Sequence, residues 1–336
     1  MDALGAMAQG LFCSLLIGTI LDTLGKQLGI AFLVTVGGYA SAMSGSAMAV
    51  AIGYALQAPP LVLFSLATVG YPANSLGSVT LSGGSGAGGP LAVLFIAVIA
   101  AELGKAVSKE TKIDILVTPL VTILAGVALS AWWAPAIGTA ASAVGDFVKW
   151  ATVLQPFWMG ILVSALMGII LTLPISSAAI CAGLGLVGLA GGACVAGCSA
   201  HMVGFAVASY RENGVQGLLS QGLGTSMLQV PNLVKKPILW LPPVVASIVN
   251  GPLATCLFKL QMNGAAINSG MGTSGLCGQI GLITGWAAPM CEENAALGVD
   301  FAAATASPAL NWIGLVVCSF VIPALVSWLV SELMRK

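Results

Sequence analysis

The chain has 336 residues, of which 58% are hydrophobic and only 7% are charged. A typical soluble domain carries roughly 25% charged residues, so these side chains are too few to cover a surface that faces water. The formal net charge of zero gives no basic field for nucleic acids, and the high hydrophobicity excludes intrinsic disorder. The composition therefore indicates an integral membrane protein whose main environment is the lipid bilayer, with no nucleic-acid partner.

Apolar runs long enough to cross a bilayer as a helix, about 20 residues, recur along the whole chain. They lie near residues 5–21, 28–43, 44–70, 87–104, 113–134, 152–173, 175–210, 237–258 and 308–331. The run 175–210 is long enough for two passes, and Pro59-Pro60 interrupts the run 44–70. The sequence predicts an all-α polytopic membrane protein with about 8–11 transmembrane helices.

Most of the basic residues lie in four short connectors, none of which resembles a soluble domain, while Lys26, Lys149 and Lys259 are scattered. These connectors are Lys105–Lys112, Arg211–Asn213, Lys235-Lys236 and Arg335-Lys336. Short loops rich in Lys and Arg stay on the cytoplasmic side of a membrane. We therefore expect a multi-pass protein of the cell (inner) membrane with its C-terminus in the cytoplasm.

Two pairs of segments indicate an internal repeat. Residues 112–126 align without gaps to 236–250, and 28–57 align to 159–188. The alternative is that apolar helices resemble one another by composition alone. Transporters are often built from such halves, with the substrate site near the middle of the membrane. The predicted halves are 1–150 and 151–336, in a parallel or an inverted arrangement.

Three glycine-rich polar stretches interrupt the apolar pattern. They are Ser82–Pro90, Gln221–Ser226 and Asn268–Gln279, and the last two share the pattern Gly-[Leu/Met]-Gly-Thr-Ser. Glycine destabilises helices, and irregular backbone at membrane depth is tolerated only inside protein or beside a water-filled cavity. The stretches are therefore predicted to be re-entrant segments. Close helix packing through small residues is the alternative, and Ser82–Pro90 also fits an exposed loop.

The stretch Asn268–Gln279 collects amides and hydroxyls that would be costly against lipid, so it is the main candidate for a binding site. Other polar residues inside apolar runs join it, although Ser176 and Ser177 also fit helix capping and His201 also fits a packed side chain. The candidate substrate-binding residues are Asn268, Ser269, Gly270, Gly272, Thr273, Ser274, Gln279, Ser176, Ser177, Asn250 and His201.

Glu292 and Glu293 follow the apolar stretch 280–289. Because carboxylates inside a membrane are costly, a carboxylate facing a cavity is a candidate site for proton or cation coupling. A solvated loop is the alternative. With a single histidine and cysteines mostly in apolar segments, no metal site is expected, and no catalytic constellation is present. We expect no catalytic residue, no cofactor and no enzymatic activity in this chain.

Three motifs carry a resemblance to a known family. Val117–Ile123 (VTPLVTI), Ala196–Gly204 (AGCSAHMVG) and Gly270–Leu276 (GMGTSGL) with Gln279 resemble the phosphotransferase-system IIC-like membrane proteins of the PfoR type. The resemblance covers nearly the whole chain. It implies sugar transport, a homodimer and re-entrant loops around a central site. Since the chain contains no soluble IIA or IIB domain, phosphorylation would require separate partner proteins.

The sequence and the resemblance together predict a permease that moves a small polar solute by alternating access. Sugars, sugar acids and small organic anions fit the oxygen-rich segments equally well. One alternative is a channel in which the glycine-polar loops form a filter. Another alternative is a membrane-embedded sensor or regulator that binds a ligand and signals to a partner.

Overall fold

The computed structural model describes residues 3–74, 88–152, 154–287 and 308–335. Within these ranges the backbone is almost entirely helical, and the only strand-like pairing is an isolated antiparallel bridge between Gly188 and Met262. The all-α prediction is therefore confirmed. The candidate coupling residues Glu292 and Glu293, and residues 82–87 of the first glycine-rich stretch, lie outside the described residues.

The chain divides into two compact units, Met1–Ala143 (unit 1) and Val144–Lys336 (unit 2). The helices that begin in unit 1 are α1 (Ala3–Leu11), α2 (Ile17–Leu28), α3 (Ala31–Ala42), α4 (Ser44–Ala55), α5 (Pro60–Asn74), α6 (Gly89–Val107) and α7 (Asp114–Thr152). A π turn, Phe12–Leu16, joins α1 to α2. The division between the units falls inside α7.

Local sequence explains the helix boundaries in unit 1. Helix α2 ends at Leu28, and the following Gly29 has a positive φ of 67°, the left-handed conformation that glycine adopts at low cost. Pro59 precedes α5 and Pro60 is its first residue, so the pair separates α5 from α4 as the sequence predicts. Helix α7 begins at Asp114, whose carboxylate accepts hydrogen bonds from the Lys109 N–H (2.7 Å) and the Thr118 hydroxyl (2.5 Å).

Unit 2 is built around one buried helix. Its helices before the glycine-rich stretch Gln221–Ser226 are α8 (Pro156–Thr172), α9 (Ser177–Leu184), α10 (Gly188–Ala208) and α11 (Tyr210–Leu219). Helix α10 packs against α8, and most of its residues are buried. Its glycines permit this close packing, because a Cβ at Gly197 would overlap the backbone of Ser164 on α8.

Irregular backbone separates the later helices of unit 2. The segment after α11 contains a π turn (Ser220–Gly224), a 3₁₀ turn (Ser226–Gln229), α12 (Val230–Lys235) and a second 3₁₀ turn (Pro237–Trp240). It is followed by α13 (Leu241–Pro252), a π turn (Leu253–Leu257), α14 (Ala266–Ser269), a 3₁₀ turn (Ser274–Leu276) and α15 (Cys277–Ala287). The C-terminal span consists of α16 (Pro308–Val316), a π turn (Val317–Val321) and α17 (Ile322–Arg335).

Six helical stretches in the described residues are long and apolar enough to cross a membrane. They are Ala3–Lys26, Gly89–Val107, Asp114–Ala140, Gly188–Ala208, Pro237–Leu257 and Ala309–Arg335. The pair α3 and α4, bent by 48°, makes a seventh if it counts as one span. The chain is thus a multi-pass membrane protein, as predicted.

The predicted count of about 8–11 spans is higher than the six or seven in the described residues, because the prediction included every long apolar run. The run 175–210 illustrates the difference. It forms α9 and α10, and α9 has only 8 residues, too few to cross a bilayer. Gly185 and Gly188, both with positive φ, break the run between these two helices.

Candidate functional site

The connection between α13 and α15, residues 258–276, is held against the start of α10 by hydrogen bonds. Gly188 and Met262 exchange two backbone bonds, of 2.7 and 2.9 Å. The Ser269 hydroxyl donates to the Leu186 carbonyl at 2.6 Å. The Ser177 hydroxyl, at the start of α9, donates to the Gly270 carbonyl at 2.7 Å. This connection is therefore a fixed structural element of unit 2, despite its irregular backbone.

The two Gly-[Leu/Met]-Gly-Thr-Ser motifs contact each other. The hydroxyl of Thr273, in the second motif, donates to the Gly222 carbonyl of the first motif at 2.5 Å. The Ser274 hydroxyl donates to the Gly224 carbonyl at 2.9 Å. We call this pair of bonds the motif clip. Because these hydroxyl protons already have backbone acceptors, the clip holds the two irregular segments together.

The glycines of the second motif lie where no side chain fits. A Cβ at Gly270 would lie 2.6 Å from the Ser177 carbonyl oxygen. A Cβ at Gly272 would lie 2.7 Å from the Cys198 carbonyl carbon, and Gly272 also has a positive φ of 53°. Both predicted site glycines therefore allow close packing of backbone against α9 and α10.

Two buried amides connect α10 to the C-terminal span. The Asn250 amide nitrogen donates to the carbonyls of Ala196 (2.9 Å) and Cys318 (2.6 Å). The Gln279 amide nitrogen donates to the hydroxyls of Ser199 (3.2 Å) and Ser319 (2.9 Å). The oxygens Asn250 Oδ1 and Gln279 Oε1 are buried and have no partner among the described residues. Each amide thus keeps one acceptor that the described residues do not use.

His201 is fully buried on α10 and belongs to a short hydrogen-bonded group. Its Nδ1 lies 3.2 Å from the Thr172 hydroxyl, which lies 2.9 Å from the Ser226 hydroxyl. The rings of Phe205 and Trp240 flank the imidazole, each with a centroid distance of 6.0 Å. The other ring nitrogen, Nε2, is buried without a partner in the described part of the chain.

The remaining predicted residues have less specific surroundings. Asn268, on α14, is 8% exposed, and a Cβ added at Gly281 on α15 would lie 3.0 Å from its Cβ. Ser176 is half-buried, and its carbonyl accepts the Ile180 N–H at 3.1 Å at the start of α9. All the described candidates thus belong to unit 2, but the hydrogen bonds place them in separate groups around α10.

Asn263 is a candidate that the sequence analysis missed. It is fully buried in the 258–276 connection, and within the described residues neither Oδ1 nor Nδ2 has a hydrogen-bond partner. The available signal was the polar pair Gln261 and Asn263 immediately after the apolar run 237–258. The sequence analysis did not consider this pair.

The interior of the described residues is polar but uncharged. Its buried polar side chains are serine, threonine, asparagine, glutamine and histidine, without a buried Asp, Glu, Lys or Arg. No group of three or more His, Cys, Asp or Glu in these ranges is arranged to hold a metal ion. The arrangement can therefore form neutral hydrogen bonds with a solute, and it contains no ionic pair to recognise a charge.

A comparison with protein families decides the class of the protein. The family described as phosphotransferase system, EIIC, matches residues 1–336, the whole chain. The chain belongs to this family. Curated proteins and solved structures gave no match. As a phosphotransferase-system EIIC protein, the chain is the membrane permease component of a sugar-transport system. The predicted resemblance to IIC-like proteins is confirmed.

Proposed function

We propose that this EIIC protein carries a sugar across the cell membrane by alternating access, with the sugar bound in unit 2 around α10. One observation carries the proposal. Four side chains of unit 2, those of His201, Asn250, Asn263 and Gln279, have buried polar atoms without a partner in the described residues. A sugar hydroxyl is both a donor and an acceptor, so a sugar can complete the hydrogen bonding of such groups.

Burial makes these unpartnered atoms informative. A buried polar group without a hydrogen bond destabilises a folded protein by roughly 1–3 kcal/mol, and native structures contain few of them. Each such atom in unit 2 therefore needs a partner, either an ordered water or a bound solute. A solute that enters this region recovers the missing hydrogen bonds, which favours a binding role over small-residue packing alone.

The irregular backbone near these atoms favours alternating access. Transporters commonly bind substrate where helices are interrupted near the middle of the membrane, and one repeat then moves against the other. The motif clip consists of two side-chain hydrogen bonds, each worth about 1 kcal/mol net. Bonds of this strength can break and re-form during a transport cycle.

The orientation and partners are also part of the proposal. The Arg335 guanidinium pairs with the Glu212 carboxylate at 2.8 Å, which brings the end of α17 beside the start of α11. Lys235 and Lys236 are exposed in the same unit. By the positive-inside rule this face lies in the cytoplasm together with the C-terminus. We further propose a homodimer in the inner membrane and separate IIA and IIB proteins as the source of phosphate.

Glu292 and Glu293 remain candidates for coupling to protons or cations. A role in coupling predicts that Glu293→Gln or Glu292→Gln abolishes the pH dependence of uptake. Uptake that keeps the same pH dependence in both variants contradicts a coupling role.

Direct binding tests the site. Purified protein in detergent is incubated with a panel of radiolabelled sugars, and bound sugar is measured by equilibrium dialysis. Gln279→Ala and Asn268→Ala should abolish the binding of any sugar that the wild type retains, with unchanged expression. Gln9→Ala, an exposed amide on α1 in unit 1, is the matched control and should bind normally. Normal binding by both site variants would exclude this region as the substrate site.

A further inference from the structure

Asn263 differs from the other buried amides because nothing in the described protein uses either end of it. Asn250 and Gln279 each donate two hydrogen bonds through their amide nitrogens. Asn263 is equally buried, yet both Nδ2 and Oδ1 are unpartnered in the described residues. A structural asparagine that stabilises the fold would have at least one of these bonds. The amide of Asn263 therefore has a donor and an acceptor that the described residues leave unused.

The neighbours of Asn263 indicate a second amide close by. A Cβ at Gly285 would lie 2.8 Å from the Asn263 Cβ, and a Cβ at Gly281 would lie 3.0 Å from the Asn268 Cβ. Gly281 and Gly285 are four residues apart on α15, so they lie on the same helix face, about 6 Å apart along the axis. Asn263 and Asn268 thus flank one glycine face of α15 at successive turns.

The chemistry of the amide defines the partner. A carboxamide offers a donor and an acceptor side by side, and two adjacent hydroxyls of a sugar offer the complementary acceptor and donor. An anion would use only the donor, and a cation would use only the acceptor. Either ion would leave the other half of a fully buried amide unsatisfied.

The charges of the chain point in the same direction. Each Lys and Arg whose side chain the structure describes is exposed or half-buried; Lys149 and Lys336 lie outside the described side chains. The segments 75–87 and 288–307 contain no basic residue at all. A buried carboxylate is strongly unfavourable without a cationic partner. A sugar acid would find no such partner among these residues, whereas a neutral sugar needs none.

We infer that Asn263 is a substrate-binding residue that recognises two adjacent hydroxyls of a neutral sugar, and that this specificity excludes sugar acids. This inference rests on the proposed function, because it assigns the sugar to the same region of unit 2. It adds a binding residue and the absence of charge on the sugar, neither of which membership of the family specifies.

The stability of the empty protein provides a test that needs no ligand. Asn263→Leu removes two unsatisfied polar atoms, so the substrate-free variant should unfold at least about 4 °C higher than the wild type. Asn250→Leu is the matched control, and it should unfold at a lower temperature because it removes two hydrogen bonds to backbone carbonyls. Asn263→Ala guards against overpacking by leucine, and it should unfold no lower than the wild type. A fall in both Asn263 variants like that of Asn250→Leu overturns the inference.

The ligand arm uses matched pairs of probes: glucose with glucuronate, galactose with galacturonate, and mannose with mannuronate. At least one hexose should bind about 100-fold more tightly than its uronate. Asn263→Leu and Asn263→Ala should weaken the binding of that hexose by about 10- to 100-fold. Unchanged hexose binding in both variants, as expected if an ordered water satisfies Asn263, overturns the assignment. If a uronate binds more tightly than its hexose, the inference that the substrate is a neutral sugar is overturned.

The two arms separate the inference from the proposed function. If the wild type binds no hexose or uronate, the proposed sugar site is contradicted. If hexoses bind and Gln279→Ala abolishes that binding while the Asn263 variants do not, the proposed function survives and the role of Asn263 is overturned.

Discussion

The motif clip gives a quantitative test of how the site region is held together. Thr273→Val replaces the hydroxyl with a methyl group of similar size and removes the 2.5 Å bond to the Gly222 carbonyl. Thr273 is fully buried, so the carbonyl gains no water in exchange. The expected loss is about 2 kcal/mol, from the hydrogen bond and the carbonyl left without it. For a unit of this size, that corresponds to a fall in Tm of roughly 4–8 °C.

The assay is thermal unfolding in detergent, with Thr284→Val as the control. The Thr284 hydroxyl donates within α15, to the Ile280 carbonyl at 2.8 Å, so its loss should change Tm by about 1 °C or less. Ser274→Ala removes the second bond of the clip. Since both bonds join the same segments, the double variant should show a coupling energy of about 0.5–1 kcal/mol. A Tm of Thr273→Val equal to that of Thr284→Val would refute the role of the clip.

Other predictions concern packing and surface charge. Gly192→Ala places a methyl group against the Leu260 carbonyl oxygen and should lower the free energy of unfolding by about 1–3 kcal/mol. Gly38→Ala, which has open space around it, should leave stability unchanged. Equal Tm values for the two variants contradict this packing. Glu212→Gln breaks an exposed ion pair with Arg335 and should lower the free energy of unfolding by at most about 1 kcal/mol, because solvent screens the pair. A larger loss of thermal stability contradicts this screening. His201→Phe leaves Thr172 without its imidazole partner and should weaken sugar binding measured by dialysis, and full binding would remove Nε2 from the site.

Much of the fold could be predicted because the bilayer imposes strong rules on sequence. The apolar run 308–331 became the C-terminal span Ala309–Arg335, and the run 237–258 became the span Pro237–Leu257. Lipid tolerates few polar residues, so long apolar runs mark spans reliably. The run 175–210 was harder, because composition alone did not show that glycines at 185 and 188 end a short helix.

The residue types of the site could be predicted, but their partners could not. Thr273 and Ser274 were chosen for their hydroxyls, and the structure shows that these hydroxyls donate to carbonyls in a distant segment. A sequence gives the type of a polar group but not whether the fold already satisfies it. Asn263 is the opposite case, because its importance comes from the absence of partners in the described residues, which only coordinates reveal.

Counterflow in proteoliposomes tests the central claim most directly. Vesicles containing the purified protein are loaded with an unlabelled sugar that binds in dialysis and diluted into a trace of the labelled sugar. A carrier that works by alternating access predicts a transient, saturable accumulation of label above equilibrium, which Gln279→Ala abolishes. Uptake that never exceeds equilibrium and does not saturate, together with an ionic current across the same membrane, would indicate a channel and contradict the account.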